Sequence, residues 1–333
     1  VNSASPPSAP RALPDFSDLT PDRVITLVEQ ALGWRSSNFC RPLTSYINRV
    51  YEVEREDGGW VIAKFYRPGR WSLAALQDEQ EFLRELNEQE VPVIAPLPGR
   101  DGATLQEHDG LRFALFARHG GRPLDEPTLE QWRELGRLLA RVHAVGARHP
   151  PRDRLELDPR RSSARHLDFI LQSEFPTLRL HDQYAAKARE ILDLIAPLFD
   201  GVERIRIHGD AHGANILHRP GEPFRLIDFD DMALGPAVQD LWMLLPGHLR
   251  ASRGELDRLL EGYETFRDLE PQTLRLIEPL RAMRFIHFTA WCARQKADGG
   301  FARLAPDWGT AAYWTQEIND LERQRQEILD ALA

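Results

Sequence analysis

Cysteine is scarce in this chain. Cys40 and Cys292 are the only two in 333 residues, and that count excludes a disulfide framework and a cysteine-based zinc site. It suits a reducing compartment. No apolar run approaches the ~20 residues of a membrane-spanning helix, and the first residues lack the basic and apolar regions of a signal peptide. Basic charge is also in deficit, with 42 Lys and Arg against 51 Asp and Glu and a net charge of −9. Such a balance argues against general nucleic-acid binding, which needs a positive field. There is no internal repeat. What remains is a soluble, cytoplasmic globular protein, a monomer or weak oligomer, long enough to bury a core without staples.

The pattern of the chain divides in two. Residues 1–19 are rich in Pro, Ser and Ala and are expected as a disordered tail. Thr20-Pro21 opens a helix, as cap and first-turn proline. Strand-like runs follow at 50–53 and 60–65, with Asp57-Gly58-Gly59 as the turn between them. A helix at 72–87 and short strands near 103–107 and 113–116 complete a small, mostly β lobe, residues 20–118. Residues 119–333 read as a larger helical lobe that opens with the amphipathic run 129–145. Two short β segments, 204–207 and 224–227, interrupt it.

Those two segments flank the most distinctive stretch, His208-Gly209-Asp210-Ala-His-Gly-Ala-Asn215, followed by Asp228-Phe229-Asp230. Asp210, Asn215 and Asp228 occur in the order in which kinase catalytic loops place a base, an amide and a metal-binding carboxylate. The residue types fit the chemistry. A carboxylate orients a hydroxyl nucleophile and takes its proton. An amide oxygen and a second carboxylate are hard ligands suited to Mg²⁺, which neutralises charge on a transferring phosphoryl group.

The small lobe supplies an independent sign. In Trp60-Val-Ile-Ala-Lys64-Phe-Tyr66, alternation sets Lys64 on one face with Trp60 and Ile62. In the next helix Glu79 falls within the apolar stripe of Leu76, Phe82, Leu83 and Leu86. A carboxylate there is costly unless paired, and Lys64 is the expected partner. Kinases use such a pair to aim a lysine at the α- and β-phosphates of ATP. The hairpin before it, residues 43–50, stands where a phosphate-covering loop belongs but contains no glycine. Ser45 and nearby amides are its candidate phosphate contacts.

These residues resemble the aminoglycoside phosphotransferase and choline kinase group, which carries H-G-D-x-x-x-x-N and a D-x-D-like motif. Five further stretches are similar to a bacterial Ser/Thr protein kinase branch of that group: Ser45 to Tyr51, Lys64-Phe-Tyr-Arg-Pro, Glu90-Val-Pro-Val, Gly235 to Leu245, and Glu278 to Arg284. The resemblance implies an α+β, protein-kinase-like bilobal fold with ATP in the cleft between the lobes. It implies Asp210 and Asp228 as catalytic residues, Asn215 and Asp228 as Mg²⁺ ligands, and Ser45, Lys64 and Glu79 at the nucleotide. Asp230 is a weaker metal candidate. Asp240 resembles the buried aspartate that pins the catalytic loop. The acceptor it implies is a protein Ser or Thr hydroxyl, with autophosphorylation open to the enzyme and a role in stress response. Arg281, Arg284, His287 and Trp291 are candidates to line the acceptor side. Gly209 replaces the arginine that would meet a phosphorylated activation loop, and residues 228–250 contain no Ser, Thr or Tyr.

Motifs settle donor chemistry more firmly than acceptor. A small-molecule alcohol such as an aminoglycoside, choline or homoserine is the alternative acceptor. A nucleotide-binding regulator without catalysis, and a metallohydrolase using His208, Asp210, His212 and Asp228, are the readings from other classes.

Overall fold

The computed structural model describes residues 16–296 and 301–333. The expected tail lies largely outside them. The chain separates into two compact units, Val1–Gly121 and Arg122–Ala333.

In the first unit, helix α1 (Pro21–Leu32) begins as its sequence suggests: the Thr20 side chain accepts from the Arg23 amide. Strands β1 (Ser36–Leu43), β2 (Arg49–Arg55) and β3 (Trp60–Phe65) precede helix α2 (Leu73–Glu88), which Ser72 caps. Strands β4 (Leu105–His108) and β5 (Leu111–Ala117) follow. They make one antiparallel sheet in the order β1-β2-β3-β5-β4. One face, with Tyr51, Val53, Val61, Ala63 and Phe65, packs on Val24, Leu27 and Val28 of α1. Alternation then assigns Lys64 to the other face, where Leu76 of α2 packs with Tyr66 and Ala114. Strand β1 has no clear signal in the sequence. It is an edge strand with a register shift between Ser36 and Cys40, so its residues show no period of two.

The second unit starts with β6 (Arg122–Pro123) and α3 (Leu129–Gly146), then α4 (Ala164–Leu171) and α5 (Leu178–Ile195). Four short strands follow, β7 (Ile205–Ile207), β8 (Ile216–His218), β9 (Arg225–Leu226) and β10 (Ala233–Gly235). They form a β10-β7 pair and a β6-β8-β9 ladder. The helices α6 (Val238–Trp242), α7 (Arg253–Tyr263), α8 (Ile277–Gln295), α9 (Phe301–Leu304) and α10 (Ala311–Leu332) complete it. The main core lies among α5, α8 and α10, around Tyr184, Ile191, Ile286, Trp314 and Leu321. Helices α3 and α7 touch backbone to backbone. A Cβ on Gly136 would stand 1.9 Å from the Leu259 carbonyl oxygen, and one on Gly262 1.9 Å from that of Arg133. Only glycine permits this approach. Among the described residues, no helix is long and apolar enough to cross a membrane.

Candidate active site

The loop from His208 to Asn215 leaves β7, and a single 3₁₀ turn, Phe229–Asp231, leads into β10 beside it. The two backbones approach closely at Gly209. Its φ is +83°, and a Cβ there would fall 2.3 Å from the Asp231 carbonyl oxygen. Glycine is therefore a steric requirement of this turn, whatever its bearing on regulation.

Three residues of α6 hold the loop. Asp240 is fully buried, and its Oδ2 accepts from the His208 amide at 2.7 Å while Oδ1 accepts from Gly209 at 2.8 Å. The Gln239 amide donates to the Gly209 carbonyl at 3.2 Å and is itself oriented by Trp242 Nε1, 2.9 Å from its oxygen. A buried carboxylate needs more partners than two amides. His143 of α3 places Nε2 3.0 Å from Asp240 Oδ2, and its Nδ1 lies 3.0 Å from the Tyr263 hydroxyl. Burial pushes the Tyr263 phenol up, so it keeps its proton and donates to the ring. The glycine contact of α3 with α7 brings Tyr263 within reach. His143 and Tyr263 were not legible beforehand.

Within the loop, the Asn215 amide nitrogen donates to the Asp210 carbonyl at 2.9 Å. Its side-chain oxygen is then the atom left to serve a cation, which fits a Mg²⁺ ligand. Asp228 stands next to it through the ladder. Ile216 pairs with Leu226, and the Ile227 amide donates to the Asn215 carbonyl at 3.0 Å. Asp228 itself adopts φ +62°, a left-handed conformation that an aspartate tolerates better than most residues. Asp230 is buried, and its backbone carbonyl accepts from Arg154 at 2.6 Å.

His208 is spent on structure. The Asp210 amide donates to its Nδ1 at 3.2 Å, so Nε2 carries the proton and donates to the Ile227 carbonyl at 2.9 Å. Neither nitrogen is left for a metal. Among the described residues, no three His, Cys, Asp or Glu side chains converge as a metal-binding group. The metallohydrolase arrangement is not formed.

Both oxygens of Asp210 are engaged by side chains. Arg284 Nη2 of α8 donates to Oδ1 at 2.7 Å, and His212 Nε2 lies 3.4 Å from Oδ2. Burial opposes ionisation, but the His212 hydrogen bond and the Arg284 charge outweigh it and hold this carboxyl below its ordinary value. The same contact with Asp210 raises His212 against the opposing effect of burial. Arg284 ends a run whose spacing now has a structural meaning. Glu278, almost fully buried, accepts from the Leu249 amide, Gln324 and His248. Arg281 donates to the Gly247 carbonyl at 2.7 Å and lies over the Trp242 ring. One turn further on, Arg284 reaches Asp210.

In the first unit, Lys64 and Glu79 are both buried and pair at 3.4 Å. Tyr66 and Gln80 support them: the Tyr66 hydroxyl donates to Glu79 Oε1 at 3.0 Å and accepts from Gln80 at 2.9 Å. Ser45 is half-buried in the loop between β1 and β2. Arg67 ties that loop down. Its backbone amide donates to Asn48 Oδ1 at 3.1 Å, Nε to the Ile47 carbonyl at 2.9 Å and Nη2 to the Tyr46 carbonyl at 3.2 Å. Two stretches of the sequence that looked separate, Ser45 to Tyr51 and Lys64 to Pro68, thus form one structure. A side-chain clamp supplies order in a loop that lacks glycine.

The pattern of the phosphotransferase enzyme family, APH, matches residues 40–280, which include every group described at these sites except Arg281, Arg284 and Gln324. The chain belongs to this family. It is 37% identical to the stress response kinase A of Salmonella paratyphi A, over 93% of each chain. It is equally similar, 37% over 93% of both, to the serine/threonine protein kinase RdoA of Salmonella typhimurium. Among solved structures, an amicoumacin kinase in complex with AMP-PNP, Ca²⁺ and its antibiotic superposes with a TM-score of 0.71 at 16% identity. That match covers 90% of this chain and 93% of the other. The α+β, kinase-like fold expected from the motifs is the fold of this chain.

Proposed function

We propose that this kinase transfers the γ-phosphoryl group of ATP, with Mg²⁺, to serine and threonine hydroxyls of proteins. The clamped loop carries the reading: Asp240 and Gln239 hold the backbone at His208 and Gly209, and that backbone sets Asp210, Asn215 and Asp228 in one rigid ladder. Rigid placement is what this chemistry demands, since phosphoryl transfer is catalysed by positioning and charge stabilisation more than by covalent chemistry.

Asp210 would orient the acceptor hydroxyl and take its proton. Its lowered pKa keeps it ionised at neutral pH, and a loose transition state asks little basicity of it. Asn215 Oδ1 and the Asp228 carboxylate would hold Mg²⁺, whose charge offsets that of the transferring phosphoryl group. In the first unit, Lys64, held by Glu79, would bind the α- and β-phosphates, and Ser45 with the amides of its clamped loop would bind phosphate oxygens. A protein acceptor is supported by the names of relatives that match along nearly the whole chain, which also support a role in stress response. Likeness to antibiotic kinases at 16% identity concerns the fold and leaves the acceptor open.

The test is transfer from labelled ATP to general protein substrates, run beside aminoglycosides and choline. Label is expected in protein Ser and Thr, and Asp210→Asn should lower turnover by roughly 10²–10⁴-fold with nucleotide binding retained. Efficient transfer to a small alcohol with none to protein would overturn the acceptor assignment. Near-normal transfer by Asp210→Asn would overturn the role of the base.

A further inference from the structure

Helix α8 packs Ala282, Met283, Ile286, Thr289 and Ala290 inward. Its outward stripe is Arg284, His287, Phe288, Trp291 and Arg294, three or four residues apart and so on one face. This stripe is aromatic as well as basic. Phe288 is 51% exposed and stacks on Trp291, with centroids 5.7 Å apart and planes 14° from parallel. Helix α4 runs beside it. His166 meets His287 edge to face at 4.9 Å, and Arg294 lies 4.7 Å above the ring of the exposed Phe169.

The stripe itself carries basic side chains and no acidic one, with Asp168 of α4 the exposed carboxylate in sequence between Arg165 and Phe169. The chain as a whole carries −9, yet neither Arg294 nor the neighbouring Arg165 forms an ion pair among the described residues. Their combined field is felt at His166, which burial first, then the charges of Arg294 and Arg165, push down to about 4. At the other end of the stripe, the Arg284 guanidinium rests on the carboxylate of Asp210. An acidic side chain next to the accepted hydroxyl would give Arg284 an alternative partner and release Oδ1 for that hydroxyl.

We propose that the outward stripe of α8 is the docking surface for the protein acceptor, and that it selects Ser or Thr in a segment carrying Asp or Glu together with aromatic residues. This rests on the protein-acceptor reading above and adds its recognition code. Arg284 to Arg294 spans ten residues of helix, about 15 Å, which an extended peptide covers in roughly five residues. The selected acidic residues therefore lie within about five positions of the hydroxyl, on one side of it. Exposed aromatic faces favour apolar and aromatic side chains among them. A single-stranded nucleic acid also suits basic and aromatic surfaces, but the chain's net charge of −9 opposes the approach of a long polyanion.

The experiment uses the full chain, ATP and Mg²⁺, with matched Ser peptides carrying Glu, Gln or Lys at the five positions on either side. The Glu peptide is expected to exceed the Lys peptide by at least roughly tenfold in kcat/KM, the scale of one charge-assisted hydrogen bond. The preference should fall with added salt. Arg294→Gln and Phe288→Ala, both at exposed positions, should each reduce that ratio several-fold through KM rather than kcat. Equal turnover of all peptides, a ratio unmoved in both variants, or competition by a single-stranded oligonucleotide at lower concentration than the Glu peptide would overturn the proposal while leaving the protein kinase reading intact. Transfer to small alcohols and to no peptide would overturn both.

Discussion

Asp240 accepts the backbone amide of Gly209 at 2.8 Å from a site with no solvent exposure. The same carboxylate accepts from His208 and meets His143, so one side chain on α6 ties the loop that carries Asp210 to α3 and, through Tyr263, to α7.

Removing that carboxylate should therefore uncouple the loop from the helical core. Asp240→Ala leaves two buried amides and one imidazole without their acceptor, each costing about 1–3 kcal/mol. Urea unfolding should show a loss of that order, and phosphotransfer should collapse even where nucleotide still binds. A variant with unchanged stability would mean that the clamp is dispensable.

Gly209 offers a sharper case, because ordinary protein kinases carry arginine there. Gly209→Arg should fail here on two counts. A side chain at φ +83° is strained, and its Cβ would strike the Asp231 carbonyl at 2.3 Å. The left-handed conformation alone costs roughly 1–2 kcal/mol, and the clash displaces β10 from β7. Thermal melting and kcat measured together should both fall; a stable, active Gly209→Arg would show that the turn relaxes freely.

The Lys64–Glu79 pair separates folding from catalysis. Lys64→Met removes the cation paired with a buried carboxylate and should destabilise by about 3–5 kcal/mol. Adding Glu79→Gln should recover most of that loss, since the amide oxygen still accepts from Tyr66. Activity should not return if, as proposed, the ammonium of Lys64 binds the α- and β-phosphates, since methionine supplies no charge there. Recovery of kcat/KM for ATP in the double variant would remove Lys64 from the nucleotide site.

His212 and Asp210 shift in opposite directions, and the signs can be checked. His212 is raised above 6.5, so its stabilisation is complete below 6.5 and is lost as pH climbs through the raised value. Asp210 is lowered below 3.8, so its stabilisation is present above 3.8 and is lost as pH falls through the lowered value. The stability difference between the native chain and His212→Gln should be larger at pH 6 than at pH 9. In the variant the acid limb of kcat/KM should move upward, since Asp210 returns toward its ordinary value. An identical difference at both pH values would separate His212 from Asp210.

Much of the site was legible because it is local in sequence. Asp210, Asn215 and Asp228 fall within one loop and one short ladder, where spacing along the chain nearly dictates spacing in space. Lys64 and Glu79 were legible through period: a lysine on the inner face of a strand and a carboxylate inside a helical apolar stripe each need a partner. Strand β1 was not, since an edge strand with an irregular register exposes both of its faces and writes no alternation.

The sequence by itself determined most of the elements and the existence of a buried ion pair, because these follow from backbone periodicity and the cost of lone buried charge. Tertiary structure alone decided which partners those groups have. Arg284 finds Asp210 across 74 residues, His143 finds Asp240 across 97, and Tyr263 finds His143 across 120. Such contacts leave no periodic trace, since an arginine on a helix reads the same whether it faces water or a carboxylate of a distant loop. Helix packing settles the matter, down to the two glycines that let α3 and α7 close on each other.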